Sequence, residues 1–420
     1  AIAKRCDIKS PRRKDSDEYI VAPFGRLAYV CPMRLHMTHR VPAAAAFTLF
    51  AIFGIAGSAV AIQGGAPRTF ERVLLLESTS ETSASVSIGD IDGNGTPDVI
   101  LAKGRHWPLV DMIMRNDGKG HFTPSPLSDT PDRTYSAALA DLDGDGDLDI
   151  VVSNDKPDKK LIYLNDGKGQ YHVSGTFGEA EWNTRYVTVA DLNGDKRPDL
   201  IVANRSSNPA APKPSFVCLN NGSGGFPSCA PLPTRSATII VAADLDGDGK
   251  IDLFVPHRDG GQNLIFWNDG TGTFHETPAP VGPAVSQIRA AAAGDINGDG
   301  IVDLVIGDEK NGMFVYMGAG KRTFDAPVAL GGTAGAPYSI AIADMNRDGK
   351  PDIVVGRQEA VGSVFFNLGG SRVPAFKDIP WGDGKGSVYG VAIHDLDGDG
   401  WPDIAAARSE APNGVWFSGR

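Results

Sequence analysis

The chain has 420 residues, 41% of them hydrophobic, with 51 Gly, 29 Pro and a formal net charge of −11. An acidic balance of this kind argues against nucleic acid as a partner, because phosphate binding needs a basic footprint. The Gly and Pro content points to short strands joined by many turns, not to long helices.

The charge is unevenly placed. Residues 1–61 carry nine Lys/Arg against four Asp/Glu, so the rest of the chain holds a net −16. Residues 1–36 start without Met and precede two candidate initiators, Met33 and Met37. They read as untranslated upstream or disordered sequence, outside the fold. Residues 37–61 read as a secretory signal peptide: Arg40 precedes nineteen uncharged residues, Ala43 to Ala61, that end in Ala59-Val60-Ala61. Nineteen apolar residues can also just span a bilayer, so an uncleaved anchor is the competing reading. The expected location is secreted, periplasmic or extracellular. No membrane contact is expected unless that segment stays attached.

From residue 67 to 420 the chain repeats itself. Seven loops read DIDGNGTPD from Asp90, DLDGDGDLD from Asp141, DLNGDKRPD from Asp191, DLDGDGKID from Asp244, DINGDGIVD from Asp295, DMNRDGKPD from Asp344 and DLDGDGWPD from Asp395. Their first aspartates are 51, 50, 53, 51, 49 and 51 residues apart. Each loop is flanked by two short apolar runs, and a third run ends in a turn such as NDGKGHF from Asn116 or NNGSGGF from Asn220. The closing aromatic of that turn is expected to open a fourth strand. Four short strands per fifty residues is the arithmetic of a seven-bladed β-propeller, all-β throughout. The seventh repeat ends at NGVWFSGR, one strand short, while RTFERVLLL at Arg68–Leu76 stands spare. The N-terminal strand is therefore expected to close the last blade and pair an otherwise open edge. Cys218 and Cys229 flank the NNGSGGF turn, face each other in a hairpin centred there, and read as a disulfide.

The acidic loops have the chemistry of a calcium site. Asp, or Asn at position 3 or 5, stands at positions 1, 3, 5 and 9, the carbonyl of position 7 adds a further oxygen, and Gly allows the tight turn. The expected ligands are Asp90, Asp92, Asn94, Asp98 and the Thr96 carbonyl in loop 1, and Asp141, Asp143, Asp145, Asp149 and the Asp147 carbonyl in loop 2. Loop 3 offers Asp191, Asn193, Asp195, Asp199 and Arg197; loop 4 offers Asp244, Asp246, Asp248, Asp252 and Lys250. Loop 5 offers Asp295, Asn297, Asp299, Asp303 and Ile301; loop 6 offers Asp344, Asn346, Asp348, Asp352 and Lys350. Loop 7 offers Asp395, Asp397, Asp399, Asp403 and Trp401. Up to seven Ca²⁺ are expected, with loop 6 weakest because Arg347 replaces Gly at position 4. An EF-hand is excluded, since position 12 is apolar and the flanks read as strands.

These segments resemble the FG-GAP/VCBS repeats of integrin-α-type propellers. The resemblance implies calcium loops between the first and second strands of each blade, all on one face. It also implies a choice of functions, because the family includes adhesion modules, lectin-like proteins and polysaccharide lyases.

On the opposite face the sequence offers a second set of residues. Tyr135, Arg185, Arg289, Tyr338 and Tyr389 stand six positions before the first Asp of their loops. Arg205, His257, Arg258, Arg357 and Arg408 follow the second strands, and His106 and Trp107 lie on the first-blade loop. Together they suggest a mouth for a glycan or an extracellular protein ligand, as Arg and aromatic residues favour. The expected function is a non-catalytic binding module, adhesion-like or lectin-like and monomeric. The alternative is a calcium-dependent polysaccharide lyase using His106 or His257 as base.

Overall fold

Short β-branched runs that alternate with turn residues fold here mostly as strands; before loop 4, residues 238–240 stay outside the short inner strand Val241–Ala243. The computed structural model describes residues 65–420 apart from 207, 209, 333, 371 and 420, and forms seven four-stranded antiparallel sheets. No helix occurs among the described residues. The upstream segment and signal peptide expected at residues 1–61 lie outside them.

Blade 1 runs from its inner strand Ser83–Gly89 through Asp98–Lys103 and Met112–Asn116 to its outer strand Phe122–Pro126. Blades 2 to 6 begin at the inner strands Thr134–Ala140, Thr184–Ala190, Val241–Ala243, Ile288–Gly294 and Pro337–Ala343. Blade 7 consists of Ser387–His394, Asp403–Ser409 and Gly414–Gly419, and Thr69–Leu75 supplies its fourth strand. The ring thus closes between the two ends of the described chain, with Val73 opposite Trp416 and Leu75 opposite Gly414.

Each second strand lies between the inner and third strands of its own blade and is buried along its length, as in Asp98–Lys103 and Asp352–Arg357. Apolar clusters fill the gaps between neighbouring blades. Ile91, Ile100, Ile150 and Tyr163 join blades 1 and 2; Phe70, Val354, Phe366, Trp381, Ile404 and Trp416 join blades 6 and 7. Around the axis the inner strands come so close that a Cβ on Gly390 would lie 2.9 Å from the Ser85 Cα of blade 1.

Cys218 and Cys229 lie directly opposite each other in blade 3 and form a disulfide. One local expectation fails. Phe122 and Tyr171 open their outer strands, but Phe226 and Phe274 precede strands that begin only at Cys229 and Ala279. After Phe226 comes Pro227, which has no N–H to give the ladder.

Phe70 is 4% exposed in the cluster between blades 6 and 7. Phe70→Ala should cost about 3–5 kcal/mol, because a cavity forms in the strand that closes the ring. Denaturant unfolding of the two proteins measures this; a loss below about 1 kcal/mol would mean the first strand does not bear on ring stability.

Candidate metal loops and the opposite face

Every acidic loop turns about its position-9 aspartate. These seven residues are buried, at 0–1% exposure. In each, one carboxylate oxygen accepts the N–H of position 2 at 2.8–3.3 Å, as Asp149 does from Leu142. The other accepts the N–H at the end of the third strand at 2.7–2.9 Å, as Asp149 does from Asn165. The position-1 aspartate folds the loop round itself: Asp141 accepts from Gly144 at 2.8 Å and Gly146 at 3.1 Å. Position 5 then accepts the N–H of position 7, as in Asp145 to Asp147 at 2.9 Å.

This wrapping brings carboxylates together. Asp90, Asp92 and Asp98; Asp141, Asp143 and Asp149; Asp244, Asp246 and Asp248; and Asp395, Asp397 and Asp399 each place an oxygen within 4.8 Å of the others. In loops 3, 5 and 6 an Asn at position 3 donates its amide to the position-5 carboxylate, at 3.1, 3.0 and 3.4 Å. Arg347 and Lys196 take left-handed backbone angles, φ 55° and 68°, at positions where the other loops have Gly. Such angles strain a side chain-bearing residue.

The donor set fits a hard divalent cation. All side-chain ligands are oxygens, and Asp92 has a buried Oδ1 with no hydrogen-bond partner, an arrangement that is costly unless a cation meets it.

Neighbouring blades are clipped together beside these loops. Asn116, Asn165, Asn220, Asn268 and Asn367 each donate an amide N–H to the position-2 carbonyl of the preceding blade's loop, at 2.7–2.9 Å. The acceptor for Asn116 is Leu396, so the clip also spans the ring closure. Blades 5 and 7 have Gly318 and Ser418 at this place. The repeated N-D-G turn was the visible signal, but only the fold shows that its Asn reaches another blade.

A model of the FG-GAP-like repeat matches residues 90–152, 141–202, 244–306 and 295–355, together more than half of the chain. The chain belongs to the FG-GAP-like repeat family. It is 24% identical over 388 residues to cartilage acidic protein 1 of Xenopus tropicalis, covering 79% of this chain and 58% of that protein. The mouse protein of the same name is 25% identical over 186 residues, covering 41% of this chain and 28% of its own. This chain therefore spans less than two thirds of the curated relatives it matches. Among solved structures, BBS1N in complex with ARL6DN superposes with a TM-score of 0.55 at 11% identity, covering 83% of this chain and 95% of that one. That likeness concerns the fold alone.

On the face of the FG-GAP propeller away from the loops, a register shift interrupts six of the seven inner strands. The residues at the shifts are Ala84, Tyr135, Arg185, Arg289, Tyr338 and Tyr389. A bulge re-aims one side chain, and here most of these side chains meet near the axis. Arg185 lies over the Tyr135 ring at 4.2 Å, Arg289 over Tyr338 at 3.8 Å, and Arg105 over Tyr389 at 4.0 Å. Tyr338 and Tyr389 are 5.1 Å apart.

The structure thus brings Tyr135, Arg185, Arg289, Tyr338 and Tyr389 together in stacked pairs, and acidic neighbours take up several of the arginines. Arg185 pairs with Asp155 at 2.7 Å, Arg258 with Glu309 at 3.0 Å, and Arg289 with the same Glu309. Arg205 pairs with Asp259 at 2.7 Å. Burial would raise the Asp155 carboxyl, yet His106 and Arg185 outweigh it and hold it at about 2. Arg357 and Arg408 do not join this cluster. Arg408 lies over Trp416 and pairs with Asp383, and Arg357 donates to the Gly335 carbonyl. Trp107 alone stands well out, at 64% exposure. His257, with Ser206, Arg235, Asp259 and Gln262, lines an open cleft of about 450 Å³ between blades 3 and 4. Burial lowers His257 to about 4, and its Nε2 accepts from the Arg235 N–H.

The position-9 carboxyls are pushed up chiefly by burial and further by neighbouring loop carboxylates. Asp252, Asp352 and Asp403 rise to about 7, and Asp149 and Asp303 to about 6. An unfolded aspartate ionises near about 3.9. The stability these groups confer on the metal-free fold is complete below pH 4 and is lost as pH rises through 6 to 7. Asp155 acts oppositely, but only below about pH 4. In chelator, the melting temperature should rise as pH falls from 8 to 5, and calcium should abolish the trend because its ligands must be ionised. A melting temperature in chelator that falls over that range would contradict these shifts.

Proposed function

We propose that this FG-GAP propeller is a calcium-dependent, non-catalytic binding module that works outside the cytoplasm as a monomer. The single observation that carries the reading is the convergence of three carboxylates, within 4.8 Å, in four separate loops. Without a counter-ion such clusters repel. Bound Ca²⁺ supplies positive charge to each loop; the chain's own part is to hold the oxygens in place through the position-9 hydrogen bonds. Because the metal binds the wrapped loop and not the open chain, it stabilises the fold by linkage. The Cys218–Cys229 disulfide suits an oxidising compartment. The relatives are named for cartilage and acidity, and an acidic balance is shared here.

The ligand is a glycan or an extracellular protein, bound on the face away from the loops. Exposed Trp107 can stack on a sugar ring, and the cleft at Arg235 and Gln262 is of a size for one or two sugar units. The lyase alternative gains little support. His257, with its pKa near 4, is a weak base at neutral pH. His106 hydrogen-bonds to Tyr135 and lies 3.5 Å from Asp155.

Full-length chain melted in calcium and in EDTA tests the metal. Calcium should raise the melting temperature by about 10 °C or more if several loops fill; superimposed melts would reject the reading. A glycan array with and without chelator, then a product assay on any hit, tests the module. Calcium-dependent binding without turnover is expected, and ultraviolet absorbance from a new double bond would favour the lyase.

A further inference from the structure

Three of the four carboxylate clusters carry an arginine on the same ligand position. In loop 4, Arg322 Nε lies 2.7 Å from Asp246 Oδ2 and its Nη1 lies 2.9 Å from Glu276. In loop 7, Arg72 of the closing strand pairs with Asp397 Oδ2. In loop 1, Arg115 Nη1 lies 3.5 Å from Asp92 Oδ2, while its Nη2 donates to the Gly169 carbonyl at 2.6 Å. Asp246, Asp397 and Asp92 are all position 3 of their loops. Loop 2 differs: among the described residues no Lys or Arg is ion-paired to Asp141, Asp143, Asp145 or Asp149, although the carboxylates cluster as tightly.

The arginines come from the solvent side. The Arg72 and Arg322 side chains are 59% and 38% exposed, while Asp397 and Asp246 are each 9% exposed. Each also has a second resting place. Arg72 lies 3.8 Å over the Phe417 ring and Arg322 4.9 Å over Trp267, so a cation–π contact remains when the carboxylate is given up.

One carboxylate oxygen cannot serve a guanidinium and a calcium ion at full strength. The arginine offsets repulsion in the empty loop, and it repels a dication that enters. We propose that Arg72, Arg322 and Arg115 are built-in competitors for calcium, holding the position-3 carboxylates of loops 7, 4 and 1 until metal displaces them. Loop 2 therefore fills at lower calcium than these three. Because Arg72 belongs to the strand that closes the ring, the same exchange links filling of loop 7 to ring closure. The inference rests on the calcium reading above.

The test is a calcium titration of the full chain, with bound ions counted by native mass spectrometry, together with melting in EDTA. Arg322→Gln and Arg72→Gln should each shift one site to calcium about five- to tenfold lower, as expected for removing a unit charge some 5 Å from a dication in water. Each should also lower the melting temperature in EDTA more than in calcium. Arg72→Lys should titrate like the parent. In the Asp246→Asn background the gain from Arg322→Gln should be smaller than in the parent, because no carboxylate at position 3 is then left for the arginine to hold. An arginine that only braces the fold would lower both melting temperatures equally and leave the titration in place; that result overturns the proposal. If the parent chain takes up no calcium, the calcium reading falls and this inference with it. If it does but the variants titrate identically, only the inference falls.

Discussion

A carboxylate buried at the foot of every acidic loop is the constraint on which the propeller depends. The position-9 aspartate ties the start of its loop to the end of the third strand, using both oxygens on backbone N–H groups, and it does so in all seven blades. A buried carboxylate holding two N–H groups is a firm joint, yet burial raises its proton affinity. Two or three further carboxylates wrapped above it raise that affinity more. The same geometry that makes the blade regular thus creates a demand for positive charge. Protons and arginines answer it within the wrapped loop, and a divalent cation would bring two charges at once.

Charge and packing meet at the blade boundaries. The amide clips run from each third strand to the preceding loop, so the loop's shape is felt by two blades at once. Glycines in the turns let this happen: a Cβ on Gly169, at φ 72°, would lie 3.0 Å from the Asp92 Cβ of the previous blade. Apolar clusters lie between those clips and the axis. The face opposite the loops is relieved of this task, and its longer connections carry Trp107 and the cleft beside His257.

Much of the fold could be read in the residues. Seven periods of about fifty residues, a strand missing at one end and spare at the other, and two cysteines equidistant from a Gly-rich turn all follow from local chemistry, and each has its counterpart in the structure. Counting back from the first aspartate also located Tyr135, Arg185, Arg289, Tyr338 and Tyr389. What counting could not show is the bulge that turns them inward, because a bulge depends on the register of two strands, not on either alone. Hence residues expected to face a ligand are largely stacked on each other. The longest-range partners were also hidden: Arg72 meets Asp397 across 325 positions, and Arg322 meets Asp246 across 76. Nothing in either arginine's neighbourhood along the chain announces such a contact.

The most direct test of metal at the centre of this design is anomalous scattering from crystals grown in calcium. One peak per blade is expected, up to seven, each about 2.3–2.6 Å from side-chain oxygens at positions 1, 3, 5 and 9 and the position-7 carbonyl. Loops with no peak in any blade, their carboxylates held instead by water and arginine at saturating calcium, would contradict it.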